Sequence, residues 1–221
     1  MKLFVEAFAK FMVGVISIGL LLFIIAGTFD YLNGWLFIIV LFVPMSICGI
    51  ILLFKNPDLL KKRLNTREQK ILQKLVSIVS GFQFVIGLAV AGLDYRFGWS
   101  YVPICMVIVA SFVLFVSYIL YVEIMRENIY LSRTVEIQEE QIVVDKGLYS
   151  IVRHPMYGTT LLIFYSIPIV LGSWWSTLCF LPYVLLISVR IWNEEKILEE
   201  GLDGYAEYKS RVKYKLIPFV W

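Results

Sequence analysis

Residues 11–29 read FMVGVISIGLLLFIIAGTF, and the first charge after them is Asp30. A run of that length matches the roughly 20 apolar residues that carry a helix across the hydrocarbon core of a bilayer. A soluble helix of the same length keeps one polar face, and this stretch has none. The pattern recurs at Gly34–Phe54, Leu75–Leu93 and Tyr101–Val122. Two shorter apolar runs, Tyr157–Leu171 and Trp175–Ile191, are separated only by Gly172-Ser173-Trp174. They read as a tight helical hairpin, tilted or partly embedded. The chain of 221 residues is 60% hydrophobic and 17% charged, with a mean hydropathy of +0.80. A soluble domain carries roughly 25% charged residues. The expectation is an all-α, polytopic integral membrane helical bundle of about six transmembrane helices. The first run is too long for the apolar region of a signal peptide and ends without a clear small-residue cleavage pattern, so it reads as a span.

The connections alternate in charge. One side holds Lys55, Lys61, Lys62, Arg63, Arg67, Lys70 and Lys74, then Arg126, Arg133, Lys146 and Arg153, then Lys196, Lys209, Arg211, Lys213 and Lys215. The other side has short connections, Asp30–Asn33, Asp94–Ser100 and the hairpin tip, with a single arginine among them. The positive-inside rule places both termini in the cytoplasm, and Trp35, Trp99, Trp174 and Trp175 fall at the outer ends as an aromatic belt. A formal net charge of +3 is too small to point to nucleic acid. Cys48, Cys105 and Cys179 lie in apolar runs without CxxC spacing, which offers neither a metal site nor a disulfide framework. GxGxxG, Walker-type and HExxH patterns are absent, as are internal repeats and long linkers.

The first four runs look chemically quiet, and polar residues gather between Glu123 and Pro218. This asymmetry divides the chain into a four-helix scaffold, 1–122, and a working region, 123–221. The working region comprises a connector, the hairpin 157–191 and a cytoplasmic tail. Two clusters stand at the hairpin's cytoplasmic ends. In Arg153-His154-Pro155-Met156-Tyr157, Pro155 suits the first turn of a helix, where a missing N–H is harmless. His154, the only histidine, would then stand beside unpaired backbone N–H groups that favour an anion. The plainer reading is an interfacial histidine that caps a helix. In the second cluster Arg190 and Glu194 share a helix face at i,i+4, either as a simple ion pair or as part of a site. A short hairpin tip would bring both clusters to one pocket at the membrane surface, where ionisable groups mark function.

These residues resemble the isoprenylcysteine carboxyl methyltransferase family and the related membrane phospholipid methyltransferases. The resemblance covers roughly Ser132 to Pro218. It rests on the run Ser132–Gln138, Gly147-Leu148-Tyr149, RHPMY at 153–157, RxxxEE at 190–195, the Tyr205/Tyr208 pair and the tail from Arg211 to Pro218. Asn56-Pro57-Asp58-Leu59-Leu60 is similar to bacterial and archaeal members, which favours such a cell membrane over an endoplasmic reticulum. RHPxY occurs also in membrane sterol reductases, and the ordered combination is the specific part.

The resemblance implies methyl transfer from S-adenosylmethionine to a lipophilic small molecule or prenylated substrate that arrives laterally among the membrane lipids. Carried over by motif, Gln138, Gln141, Ile142, Val143, Val144, Tyr149, His154, Pro155, Met156, Tyr157 and Glu194 would hold the cofactor. Arg190 would contact the substrate and act in catalysis. Chemically, a helix entrance with His154 suits the cofactor's carboxylate. Glu194 and the tyrosine faces suit its cationic groups. Arg190 suits an acceptor carboxylate or a phospholipid phosphate. The first tilts the reading to O-methylation and the second to methylation of a lipid amine. An NADPH-dependent sterol or isoprenoid reductase and a non-enzymatic membrane protein are the competing classes.

Overall fold

The long apolar runs fold as α1 (Lys2–Ala26), α2 (Leu32–Lys55), α4 (Ile71–Phe97) and α5 (Ile104–Glu127), with a short α3 (Pro57–Leu64) between α2 and α4. The computed structural model describes residues 2–65, 70–132, 134 and 137–221. Arg67 and Arg133 of the basic connections, and Val135 and Glu136 of the motif run, lie outside the described residues. α2 and α4 run past both ends of their apolar runs, whereas α1 stops at Ala26 and α5 starts at Ile104, each inside its run, because local signals set the helix ends. Gly27 ends α1 at φ 73°, and Gly98 ends α4 at φ 63°, left-handed values that suit glycine. Asn56 accepts the N–H of Leu59 at 3.1 Å and Pro57 opens α3, an N-cap followed by proline at the first position.

The hairpin forms, with a shorter tip than the expected Gly172-Ser173-Trp174. α6 (Pro155–Val170) ends before Gly172, whose φ is 78°, and the Ser173 hydroxyl accepts the Ser176 N–H to start α7 (Trp174–Phe180). Trp174 belongs to the helix and not to the tip. The second arm, one apolar run in the sequence (Trp175–Ile191), is divided into two helices. Pro182 lacks an N–H and kinks the path between α7 and α8 (Tyr183–Gly201). α7 packs on α4 and α6, and α8 then leans on α4 more than on α6. The wedge left between α6 and α8 is filled by Leu216 of the tail, which packs with Leu161, Ile187 and Ile191. The tail, which also carries α9 (Tyr205–Arg211), thus packs where the start of α6 and the later turns of α8 come together.

Five helical stretches are long and apolar enough to cross a membrane, counting Trp174–Gly201 as one, while α6 is a shorter apolar helix. No strand occurs among the described residues. Ile16, Leu20, Ile24, Val109 and Phe112 all stand more than half exposed on the outside of the bundle. Leu22, Phe37, Leu88, Leu114 and Ile167 form the inner core. An apolar outside around an apolar inside is the arrangement of a helical membrane protein. The helices approach closely through small residues, as membrane helices do. A Cβ on Gly87 would lie 2.3 Å from the Phe180 ring, so glycine permits the α4–α7 crossing.

One expectation fails here. α4 is not free of buried ionisable groups, because Asp94 lies in its last turn at 1% exposure. Its carboxylate accepts the backbone N–H and hydroxyl of Ser100 and the hydroxyl of Ser173, tying α4 to the hairpin tip. A sequence reading that ended the helix at the last apolar residue put Asp94 in a solvated connection.

Candidate active site

A cavity of about 710 Å³ opens at the basic end of the bundle. That volume lies within the roughly 300–1,000 Å³ of small-molecule sites. Its apolar reach is bounded by Met45 and Gly49 of α2, Gly81 of α4 and Phe164 of α6. Its polar reach gathers Arg153, His154, Tyr157, Arg190 and Glu194. The walls therefore draw on α2, α4 and α5 as well as on the polar half.

The RHPMY motif supplies the polar wall. Pro155 starts α6, so Arg153 and His154 sit in the non-helical backbone just before it. Their N–H groups donate to Tyr214 and Lys215 carbonyls at 2.9 and 2.8 Å, which fastens the tail across the helix entrance. The Arg153 side chain is buried. Its Nε donates to Glu195 Oε1 at 2.7 Å and its Nη1 donates to the Val212 and Lys213 carbonyls at 2.6 and 2.9 Å. His154 Nε2 lies 3.2 Å from the same Glu195 oxygen. Lys215 Nζ stands 3.3 Å from the other oxygen and Lys209 Nζ 3.9 Å. Glu195, itself 4% exposed, thus anchors the entrance of α6 and the tail together. His154 reaches the cavity with its ring tied to this carboxylate, which is a more engaged position than a histidine standing open beside unpaired N–H groups.

One residue earlier on α8, Glu194 turns to the cavity, since successive helical residues point about 100° apart. The expected Arg190–Glu194 partnership runs through Tyr157. The Tyr157 hydroxyl donates to Glu194 and accepts from Arg190 Nε at 2.9 Å. Arg190 Nη1 also donates to Ser77 Oγ of α4 at 3.3 Å. Three helices, α4, α6 and α8, thereby hold one guanidinium at the cavity wall.

The connector supplies the opposite wall. Gly147, at φ 57°, makes the turn into a 3₁₀ turn at Gly147–Ser150, and a Cβ there would lie 1.6 Å from Glu127 Oε1. That Glu127 carboxylate accepts the Leu148 N–H at 3.0 Å. The turn sets the buried Tyr149, whose hydroxyl accepts from Asn128 Nδ2 at 3.1 Å and whose carbonyl accepts from Tyr208 at 2.7 Å. Burial pushes the Tyr149 and Tyr208 phenols above their ordinary range, so both stay protonated.

Of the expected cofactor residues, Gln141, Ile142, Val143, Val144, Tyr149, His154, Met156, Tyr157 and Glu194 line this one cavity, as does Arg190. Pro155 is buried at the helix start, and Gln138 is not among the residues that line the cavity. Gln138 takes a bond from Lys62 Nζ at 2.5 Å and donates to the Tyr130 carbonyl at 2.6 Å. Sequence reasoning gave no role to Glu195, Tyr205, Tyr208 or Arg211. Glu195 and Tyr208 brace the walls, and Arg211 pairs with Asp145 at 2.9 Å on the surface. The readable signal for Glu195 was the need for a counter-charge to Arg153 at a membrane boundary.

A family model of phospholipid methyltransferase matches residues 104–203. The match runs from the first residue of α5 to the end of α8 and holds both motif clusters. It supports a membrane methyltransferase that acts on lipid-like substrates. Such enzymes generally use S-adenosylmethionine. No curated protein matches the chain.

Proposed function

We propose that the protein transfers a methyl group from S-adenosylmethionine to the carboxylate of a lipophilic acceptor, of the prenylcysteine type, that reaches the cavity from the bilayer. The observation that carries this reading is the placement of Arg190. Its guanidinium is held by Tyr157 and Ser77 at the junction between the polar and apolar reaches of the cavity. A planar fork at that place suits an anionic head attached to an apolar chain.

The residues fit the cofactor by charge and shape. Glu194 suits its ammonium, the rings of Tyr149 and Tyr157 suit a cationic sulfonium, and the α6 entrance with His154 suits its carboxylate. S-adenosylmethionine supplies an electrophilic methyl: an acceptor oxygen bonds to it, and the C–S pair remains on sulfur. With a carboxylate acceptor no proton moves, so the chain's own task is alignment and exclusion of water. Arg190 orients the acceptor, and Tyr157 fixes Arg190 and Glu194 relative to each other. The walls of α2 and α4 shelter the apolar chain.

A second reading keeps the cofactor and changes the acceptor. The family match is to phospholipid methyltransferase, and a carboxylate and a guanidinium share one hydroxyl here. Arg190 would then hold a phosphate, while a base takes the one proton an ammonium must lose. Calorimetric titration of the purified protein in detergent tests both readings. S-adenosylmethionine should bind and NADPH should not. Binding of NADPH alone would overturn the methyltransferase reading in favour of a reductase. Methyl incorporation into a prenylcysteine against a phosphatidylethanolamine then separates the acceptors.

A further inference from the structure

Tyr205 stands on α9, outside the matched stretch, and lines the cavity at 4% exposure. Its hydroxyl is buried and has no hydrogen-bond partner among the described residues. Tyr208, one turn further along the same helix, shows what a bracing tyrosine does there, since its hydroxyl donates to the Tyr149 carbonyl at 2.7 Å. The two rings lie 5.7 Å apart against the same wall, packed with Leu202, Val212 and Val143. The tail helix is thus firmly placed, and only one of its two phenols is used by the fold. A buried polar group without a partner is unfavourable, and folded proteins rarely keep one without a ligand or a role. Burial, and after it the carboxylates of Glu195 and Glu194, hold the Tyr205 phenol protonated against the opposing charge of Arg153, so it is available as a donor. The group it awaits must therefore be an acceptor, lying at the Glu194 end of the cavity.

Resting on the methyltransferase reading above, we infer that Tyr205 is a cofactor contact whose O–H donates to the carboxylate of the cofactor's amino-acid end, beside the ammonium assigned to Glu194. The amino-acid end of the ligand is then held from three directions, by α8 through Glu194, by the α6 entrance with His154 and by the tail through Tyr205. The tail becomes part of the binding site and not only its cover.

The test is a titration of Tyr205→Phe and Tyr208→Phe with two probes, S-adenosylhomocysteine and 5′-methylthioadenosine, alongside thermal unfolding. The second probe has the same nucleoside and sulfur but no amino-acid end. Tyr205→Phe should weaken S-adenosylhomocysteine roughly tenfold, the worth of one hydrogen bond to a charged group, and leave methylthioadenosine unchanged. Its melting midpoint should equal or exceed the parent's, whereas that of Tyr208→Phe should fall. Unchanged affinity for S-adenosylhomocysteine, equal weakening of both probes, or a midpoint lowered as in Tyr208→Phe would overturn the assignment. Failure of the parent protein to bind either probe would instead overturn the methyltransferase reading itself.

Discussion

Two adjacent glutamates on α8 should fail in opposite ways when neutralised. Glu195 is buried, and its carboxylate faces Arg153 at 2.7 Å, His154 at 3.2 Å and Lys215 at 3.3 Å. Glu195→Gln keeps an oxygen for Arg153 but removes the charge, so a buried guanidinium is left with two carbonyls and no counter-ion. Uncompensating one member of a buried pair costs roughly 3–5 kcal/mol. The partly exposed lysines add little, because pairs open to solvent contribute at most about 1 kcal/mol. In a chain of this length each kcal/mol moves the melting midpoint by roughly 2–4 °C. The expected fall for Glu195→Gln is thus roughly 6–20 °C. Glu194→Gln still accepts the Tyr157 bond and strands no buried cation, so its midpoint should stay within about 2 °C of the parent's while its affinity for S-adenosylmethionine drops. Fluorescence-monitored unfolding of the three proteins in one detergent decides the matter. A Glu195→Gln midpoint within about 2 °C of the parent's, or an equal fall for Glu194→Gln, would refute the division of roles.

Arg190→Ala should lower turnover by roughly 100-fold or more, as loss of one oriented charge at a reacting group does, while largely sparing cofactor affinity; parallel loss of both in a titration and a methylation assay would move Arg190 into the cofactor site. Gly147→Ala forces a left-handed alanine and drives its Cβ into Glu127, breaking the Leu148 bond. A loss of roughly 2–3 kcal/mol should appear in denaturant or thermal unfolding. Gly49→Leu and Gly81→Leu enter open space beside the apolar reach, where a Cβ meets nothing within 4 Å. These variants should reduce turnover of long-chain acceptors more than short ones, with cofactor affinity unchanged.

The spans were legible because hydrocarbon imposes one requirement on every residue of a run, and residues 11–29 meet it without exception. The ends were less legible because a helix does not stop where the apolar run does. Asp94 and Arg96 remain in α4, and the stop is Gly98, a conformational signal that hydropathy ignores. The kink at Pro182 was readable in principle from the missing N–H, yet its consequence, α8 leaning toward α4, depends on packing between distant segments.

The site shows the same limit in sharper form. Spacing within a helix predicted that Arg190 and Glu194 share a face, and both do line the cavity. Their connection is the Tyr157 hydroxyl, which lies 33 residues from Arg190 in the chain, a distance no helical periodicity can report. Which of two neighbouring glutamates faces the cavity is likewise undecided by composition. It is decided by the tail: once Leu216 fills the α6–α8 wedge and the carbonyls of residues 212–215 take the Arg153 side chain and the 153–154 backbone, the carboxylate that neutralises that buried arginine is the one on the same side of α8, Glu195. Glu194, turned about 100° away, is thereby left to the cavity. The tail thus sets the electrostatics of a site whose two polar clusters, 153–157 and 190–195, lie before it in the chain.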